Sequence, residues 1–103
     1  MRKLDRYFDG NNYINHNPRI ADGVDQVRYG LLSGKRTLFR FDTGHMILAE
    51  GDFALVVTEG TFGDGNTSFY DLFRVQNGKI AEHWDVVDEV PAKSESRNTN
   101  GKF

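Results

Sequence analysis

The chain predicts an α+β domain: short helices first, then a curved antiparallel sheet of about four long strands. Three observations carry that reading. Apolar residues recur at helical spacing near the N-terminus, in Leu4, Tyr7 and Phe8 and again in Val24, Val27 and Leu31. Runs rich in Val, Phe, Thr and Tyr then fill the stretch from 37 to 90. Within that stretch Asn77-Gly78 joins two β-rich runs, the strongest short-range hairpin signal available to a sequence.

Taken in order, Arg2 to Phe8 fits about two turns of amphipathic helix, ended by Gly10-Asn11-Asn12, residues that accept positive φ. Tyr13 to Asn17 is a short extended piece, and Pro18 pushes Asn17 away from helical geometry. Asp22 can cap a second helix running through Val24, Val27 and Leu31, which Gly30 weakens and Gly34 stops. Thr37–Ala49, Phe53–Phe62, Thr67–Gln76 and Lys79–Val90 are the expected strands. Their separators, Glu50-Gly51-Asp52, Gly63-Asp64-Gly65-Asn66 and Asn77-Gly78, are short enough to require an up-and-down antiparallel order. The first strand exceeds ten residues, so a bulge or bend is expected near Thr43-Gly44. Residues 1–90 make one domain. Residues 91–103, almost without apolar side chains, are a polar C-terminal tail expected to be mobile.

Bulk properties narrow the function classes. A length of 103 residues supports one core, and an aromatic content of 13% suits a sheet with an apolar interior or pocket. A net charge of −2 gives no electrostatic reason to expect nucleic acid or an anionic membrane surface. With no cysteine there is no disulfide framework and no thiolate metal site. No apolar run approaches the roughly 20 residues that span a bilayer, and no signal-peptide core opens the chain. The expectation is a cytoplasmic protein with no membrane or nucleic-acid partner.

Strand alternation assigns the faces. With a three-residue loop at Asn77-Gly78, Asp71 pairs with His83 and Phe69 with Asp85. Extending the pairing gives one face of Met46, Leu48, Val56, Thr58, Phe69, Asp71, Phe73, Ala81, His83 and Asp85. The other face collects Phe41, His45, Ile47, Leu55, Val57, Tyr70, Leu72 and Trp84. A strict two-residue turn would slip the register by one, pair His83 with Leu72 and remove Asp71 from the group. His83 and Asp85 stay together in either case. Since so small a domain has helices for only one face, the other is expected to bury its apolar patch in a homodimer through Phe41, Leu55, Val57, Tyr70, Leu72 and Trp84.

Two pieces of the chain, Tyr13-Ile14-Asn15-His16-Asn17-Pro18 with Ala21-Asp22-Gly23, and Glu59-Gly60-Thr61-Phe62 running on to Asp71-Leu72-Phe73-Arg74-Val75 and His83-Trp84-Asp85-Val86, resemble the SnoaL-like polyketide cyclase group of the nuclear transport factor two-like superfamily. The resemblance implies a cone, its concave sheet face closed by N-terminal helices to form a pocket. Such domains begin with a long helix ahead of the Leu4–Phe8 segment, where this chain starts; a more open pocket, or one covered by a neighbour, is implied. In the cyclases an aspartate near the end of the last long strand removes a proton α to a carbonyl for aldol ring closure, and Asp85 holds that place. The second polar pocket position falls on Asp71, where the family pattern has His.

The expected site is therefore Asp85 as general base, assisted by His83 and Asp71, with His16, Met46, Val56, Thr58, Phe69 and Phe73 lining a pocket for an apolar carbonyl compound. Partial desolvation would raise the Asp85 pKa and a charged His83 would lower it, so the pair would titrate together. The alternative is a structural Asp–His hydrogen bond. His16 sits at the pocket rim or else caps local backbone in an Asn-rich turn. His45 falls on the opposite face, outside the site. No metal and no cofactor is expected, because the His and carboxylate spacings match no ligand pattern. The function is a cyclase- or isomerase-type enzyme or, alternatively, a non-catalytic binding or dimerisation module; hydrolysis or dehydration in the same pocket is a third reading.

Overall fold

The computed structural model describes residues 6–18, 22–23, 39–63 and 65–103. Five strands form one open sheet: β1 (Ile14–Asn15), β2 (Phe39–Glu50), β3 (Phe53–Phe62), β4 (Gly65–Gln76) and β5 (Lys79–Glu89), in the order β1-β5-β4-β3-β2. The four long strands are antiparallel neighbours, as their short connections require. β1 adds a parallel edge, pairing Ile14 with Glu82 and Asn15 with His83.

The expected cone with short N-terminal helices on its concave face is corrected by this arrangement. Among the described residues no helix reaches seven residues; there are 3-10 turns at Gly10–Asn12 and Lys93–Glu95. Of the helix expected over Arg2–Phe8, Arg6 and Tyr7 are helical while Phe8 bridges Ile80, and the other residues lie outside the described ones. The helix expected from Asp22 through Leu31 also lies outside them, apart from a bend at Asp22 and Gly23. Extended chain covers the β5 edge instead. Its backbone finds partners there: Asp9 N–H donates to Ile80 O at 2.9 Å and His16 N–H to His83 O at 2.8 Å. An isolated helix of two turns has no comparable source of stability in water.

The hairpin register follows from two local devices. Asn77 and Gly78 both have positive φ, 53° and 77°, the signature of a two-residue type I′ turn, which sets Gln76 opposite Lys79. A bulge follows at once: Val75 faces Ile80 but Arg74 faces Glu82, leaving Ala81 as the extra residue. The strand then pairs Phe73 with His83 and Asp71 with Asp85. Compared with the expected three-residue loop, β5 is displaced by two residues, so Asp71, His83 and Asp85 still share one face.

On β2 the faces do change. The turn at Gly51-Asp52 is two residues long, with Glu50 facing Phe53, so Ile47 pairs with Val56 and Leu48 with Leu55. Met46 and Leu48 therefore stand on the face opposite the one expected, and Ile47 replaces them beside Val56. Register shifts between Phe41 and Thr43 and between Gly44 and Met46 fall around the predicted Thr43-Gly44 bend. They bring Phe41 opposite Gly60, on the Asp71 face, where its ring meets Phe69 edge-on at 4.8 Å. Of the residues expected to form a dimer surface, Leu55, Val57, Tyr70, Leu72 and Trp84 share the other face and Phe41 leaves it. β2 is the least covered strand, with Ile47 73%, Leu48 56% and Met46 48% exposed.

The C-terminal residues return to the sheet. Lys102 pairs with Asp88 at 2.9 Å and the Phe103 ring stacks on His45 at 3.9 Å. His45 in turn hydrogen-bonds Glu59 at 3.0 Å. No helix among the described residues is long and apolar enough to cross a membrane.

Gly60 tests the bulge. A Cβ there would stand 1.7 Å from Arg40 O and 3.0 Å from Phe41 Cα, so Gly60→Ala is expected to destabilise by about 3 kcal/mol or more. Gly65→Ala, with nothing within 4 Å of the added carbon, is the near-neutral control. Urea unfolding of the two variants beside the parent measures the difference.

Candidate functional site

Three ionisable side chains meet on the buried face of the β4–β5 pair. Asp71 on β4 is directly opposite Asp85 on β5, and His83 lies two residues before Asp85 on the same face. Asp71 and His83 are 7% and 8% exposed, and Asp85 is half-buried. His83 Nε2 donates to Asp71 Oδ1 at 2.7 Å, diagonally across the strands rather than by the direct pairing the sequence suggested. The Phe73 ring stacks beside His83 at 4.9 Å.

The segment around β1 completes the group. Asn17 Nδ2 donates to Asp85 Oδ2 at 2.9 Å. Asn15 Oδ1 accepts the Asn17 backbone N–H at 2.9 Å, which fixes that atom as the amide oxygen, and it also stands 3.3 Å from His83 Nδ1. Both ring nitrogens of His83 thus face side-chain oxygens. Tyr13, just before β1, is 1% exposed, and its ring packs edge-on against Phe8 at 5.0 Å and beside His83 at 6.5 Å. Burial first, then the negative fields of Asp71, Asp85 and Asp22, push the Tyr13 phenol well above its ordinary value.

Of the lining residues read from the sequence, Val56 pairs with Asp71, Thr58 with Phe69, and Phe73 with His83, so all four share the face of the cluster. Thr58 Oγ1 is buried with no hydrogen-bond partner among the described residues. Met46 is on the far face. His16 is there too: its ring lies flat on Trp84 at 4.7 Å and its Nε2 meets Glu82 Oε2 at 2.6 Å, while Arg74 donates to Glu82 Oε1 at 2.8 Å. The backbone capping considered for His16 is done by Asn15 instead. Asn15, Asn17 and Tyr13 are the residues that sequence reasoning missed. The available signal was alternation, which puts Asn15 and Asn17 on one side of the extended piece and His16 on the other.

Asp71, His83 and Asp85 each offer a ligand atom within 4.8 Å of the others, so these are the residues that could share a cation. The Asp71–His83 hydrogen bond already uses one atom of each. Without any ion the group has parts that acid–base chemistry uses: a carboxylate oriented by a neutral amide, a second carboxylate bonded to an imidazole, and an aromatic ring stacked beside them.

Two measurements bear on this geometry. His83→Ala leaves Asp71 buried without its partner and is expected to cost about 3 kcal/mol, read from urea unfolding. Glu82 is held below the usual carboxylate range by the His16 hydrogen bond first and by Arg74 second. A depressed folded pKa means the stabilisation is complete above the unfolded value of 4.5 and is lost as pH falls through the lower folded value. Docking of β1 should therefore loosen in acid, seen as faster amide exchange at His16, and Glu82→Gln should remove that pH dependence.

The fold has a counterpart among solved structures. The structure of TsrD from Streptomyces laurentii is similar over 84% of this chain and 75% of that one, with a TM-score of 0.59 and 23% sequence identity. No protein-family model matches the chain, and no curated protein matches it. The likeness to TsrD is one of fold.

Proposed function

We propose that this protein is a small-molecule enzyme of the SnoaL-like kind, in which Asp85 removes a proton α to the carbonyl of an apolar substrate. The observation that carries the reading is the unequal treatment of the two aspartates. Asp71 is buried and tied to His83 at 2.7 Å. Among the described residues Asp85 is half-buried and held through Oδ2 by the neutral Asn17 amide at 2.9 Å. A neutral donor orients a carboxylate without cancelling its charge, which leaves Oδ1 to accept a proton. Val56, Phe69, Phe73 and Thr58 supply a mostly apolar wall on the same face, suited to a carbonyl compound with a hydrophobic body. Asn15 and Asp71 hold the His83 ring in place beside Asp85. No cofactor enters this chemistry.

A second reading, a non-catalytic binding or dimerisation module, is favoured by the apolar side chains that β2 leaves exposed, Ile47 at 73% above all. In that case a second copy covers the open side of the sheet and the Asp–His cluster is structural.

Deuterium exchange separates the two. A panel of aryl ketones in D2O should exchange its α-protons faster with the protein present, followed by proton NMR. Asp85→Asn should slow the catalysed exchange about 100-fold or more, and Asp71→Asn by a smaller factor. Exchange that persists undiminished in Asp85→Asn rules out the base assignment, and no catalysed exchange with any ketone favours the binding module.

A further inference from the structure

The segment that holds Asp85 grips β5 from both sides of the sheet. Asn15 and Asn17 point to the face of the cluster, where they meet His83 and Asp85. His16, between them, turns to the far face. There its ring lies within 2° of parallel to that of Trp84, 4.7 Å away, and its Nε2 meets Glu82 Oε2 at 2.6 Å. The surface it lands on is itself braced across three strands. Arg74 on β4 donates to Glu82 Oε1 at 2.8 Å and to Gln76 Oε1 at 2.8 Å, and the Phe53 ring on β3 stands 6.1 Å from Trp84.

The β1 ladder alone does not account for the position of Asn17. It has two residue pairs, Ile14 with Glu82 and Asn15 with His83, and ends with His16 N–H donating to His83 O at 2.8 Å. The Asn17 N–H turns back to Asn15 Oδ1 at 2.9 Å, and Pro18 has no N–H to give. A strand of two residues held along one edge can roll about its own axis, because hydrogen bonds tolerate a broad range of angles. Such a roll would lift Asn17 Nδ2 from Asp85 Oδ2, a contact of 2.9 Å. A ring stacked flat on the opposite face resists it: whatever raises Asn17 on one side drives His16 out of register with Trp84 on the other. The His16 side chain is 42% exposed, so its bond to Glu82 adds little to global stability. What it contributes is geometry.

We propose that His16 is a positioning residue for the site: stacked on Trp84 and bonded to Glu82, it sets the roll of β1 and so holds the Asn17 amide against Asp85 from the opposite side of the sheet. Its part in catalysis rests on the reading of Asp85 as the base, whereas the coupling between the two faces stands apart from that reading.

NMR of the whole chain reads the coupling without any substrate. In His16→Ala the Asn17 side-chain amide should exchange with solvent about tenfold faster or more. Its resonances should move toward those of free asparagine, and the Asp85 carboxyl carbon should move with them, while the urea midpoint changes little. His16→Phe, which keeps a flat ring on Trp84, should restore most of the protection. Trp84→Leu removes the stack from the other side and should free Asn17 in the same way, which keeps the test open if His16→Ala does not fold. In the ketone assay, catalysed α-proton exchange should fall about tenfold in His16→Ala. His16→Ala combined with Asn17→Ala should fall no further than Asn17→Ala alone, since residues that act through one contact are not additive. Asn17 and Asp85 signals that stay at their parent positions in these variants, with or without a loss of stability, overturn the proposal and leave the Asp85 exchange assay to stand. Fully additive losses in the double variant overturn it as well. Displaced Asn17 signals together with exchange that is insensitive to Asp85→Asn keep the positioning and remove the base.

Discussion

Two like charges face each other across the middle of the sheet, and much of the architecture is a response to that. Asp71 and Asp85 are direct cross-strand partners on a buried face, a placement that repels and that burial makes more costly. The answer comes from two directions. His83, from the same strand as Asp85, reaches diagonally to Asp71. Asn17, from a segment 68 residues away in sequence, caps Asp85. The docking of β1 makes sense in these terms. At two residues it is too short to add much sheet, and Ile14 is 39% exposed. What it delivers is Tyr13, Asn15 and Asn17, placed against the cluster by a parallel register that two residue pairs define.

The cluster also depends on one misfit in the ladder. The type I′ turn alone would carry a pairing of Gln76 with Lys79 down the hairpin, placing Asp71 opposite Trp84 and on the face away from His83 and Asp85. The extra residue at Ala81 reverses that parity within a single step. Ala81 is 3% exposed, so the bulge is packed inside, and its small side chain suits a crowded position. Bulges re-aim side chains at functional positions in many sheets, and here the effect can be assigned to a named residue.

This explains what could be read from the sequence and what could not. Face membership on β3, β4 and β5 was legible although the loop was misjudged, because an error of two residues preserves a period of two. On β2 the misjudged turn was an error of one, so Met46 and Leu48 changed places with Ile47. The strands themselves were plain from their β-branched and aromatic content, and the bend near Thr43-Gly44 from the length of the run. The N-terminal cover was not legible: Tyr7 and Phe8 lie at helical spacing, but the backbone partners of the following segment are on β5, some 70 residues on, and local periodicity carries no trace of them. Asn15 and Asn17 were hidden for the same reason. An asparagine before a proline turn reads as a local cap, and Asn15 does accept the Asn17 N–H at 2.9 Å. Its second contact, with His83, is what matters for the site.

The division of labour between the aspartates follows from the kind of donor each has. A charged donor such as an imidazolium binds a carboxylate strongly and makes it a poor base; a neutral amide fixes orientation at little cost in basicity. Asp71 bonds the His83 imidazole and Asp85 the Asn17 amide, and the difference originates in chain position rather than residue type. The base proposed here is Asp85 because an oxygen of its neighbour is already engaged by His83, while the amide that orients Asp85 carries no charge of its own.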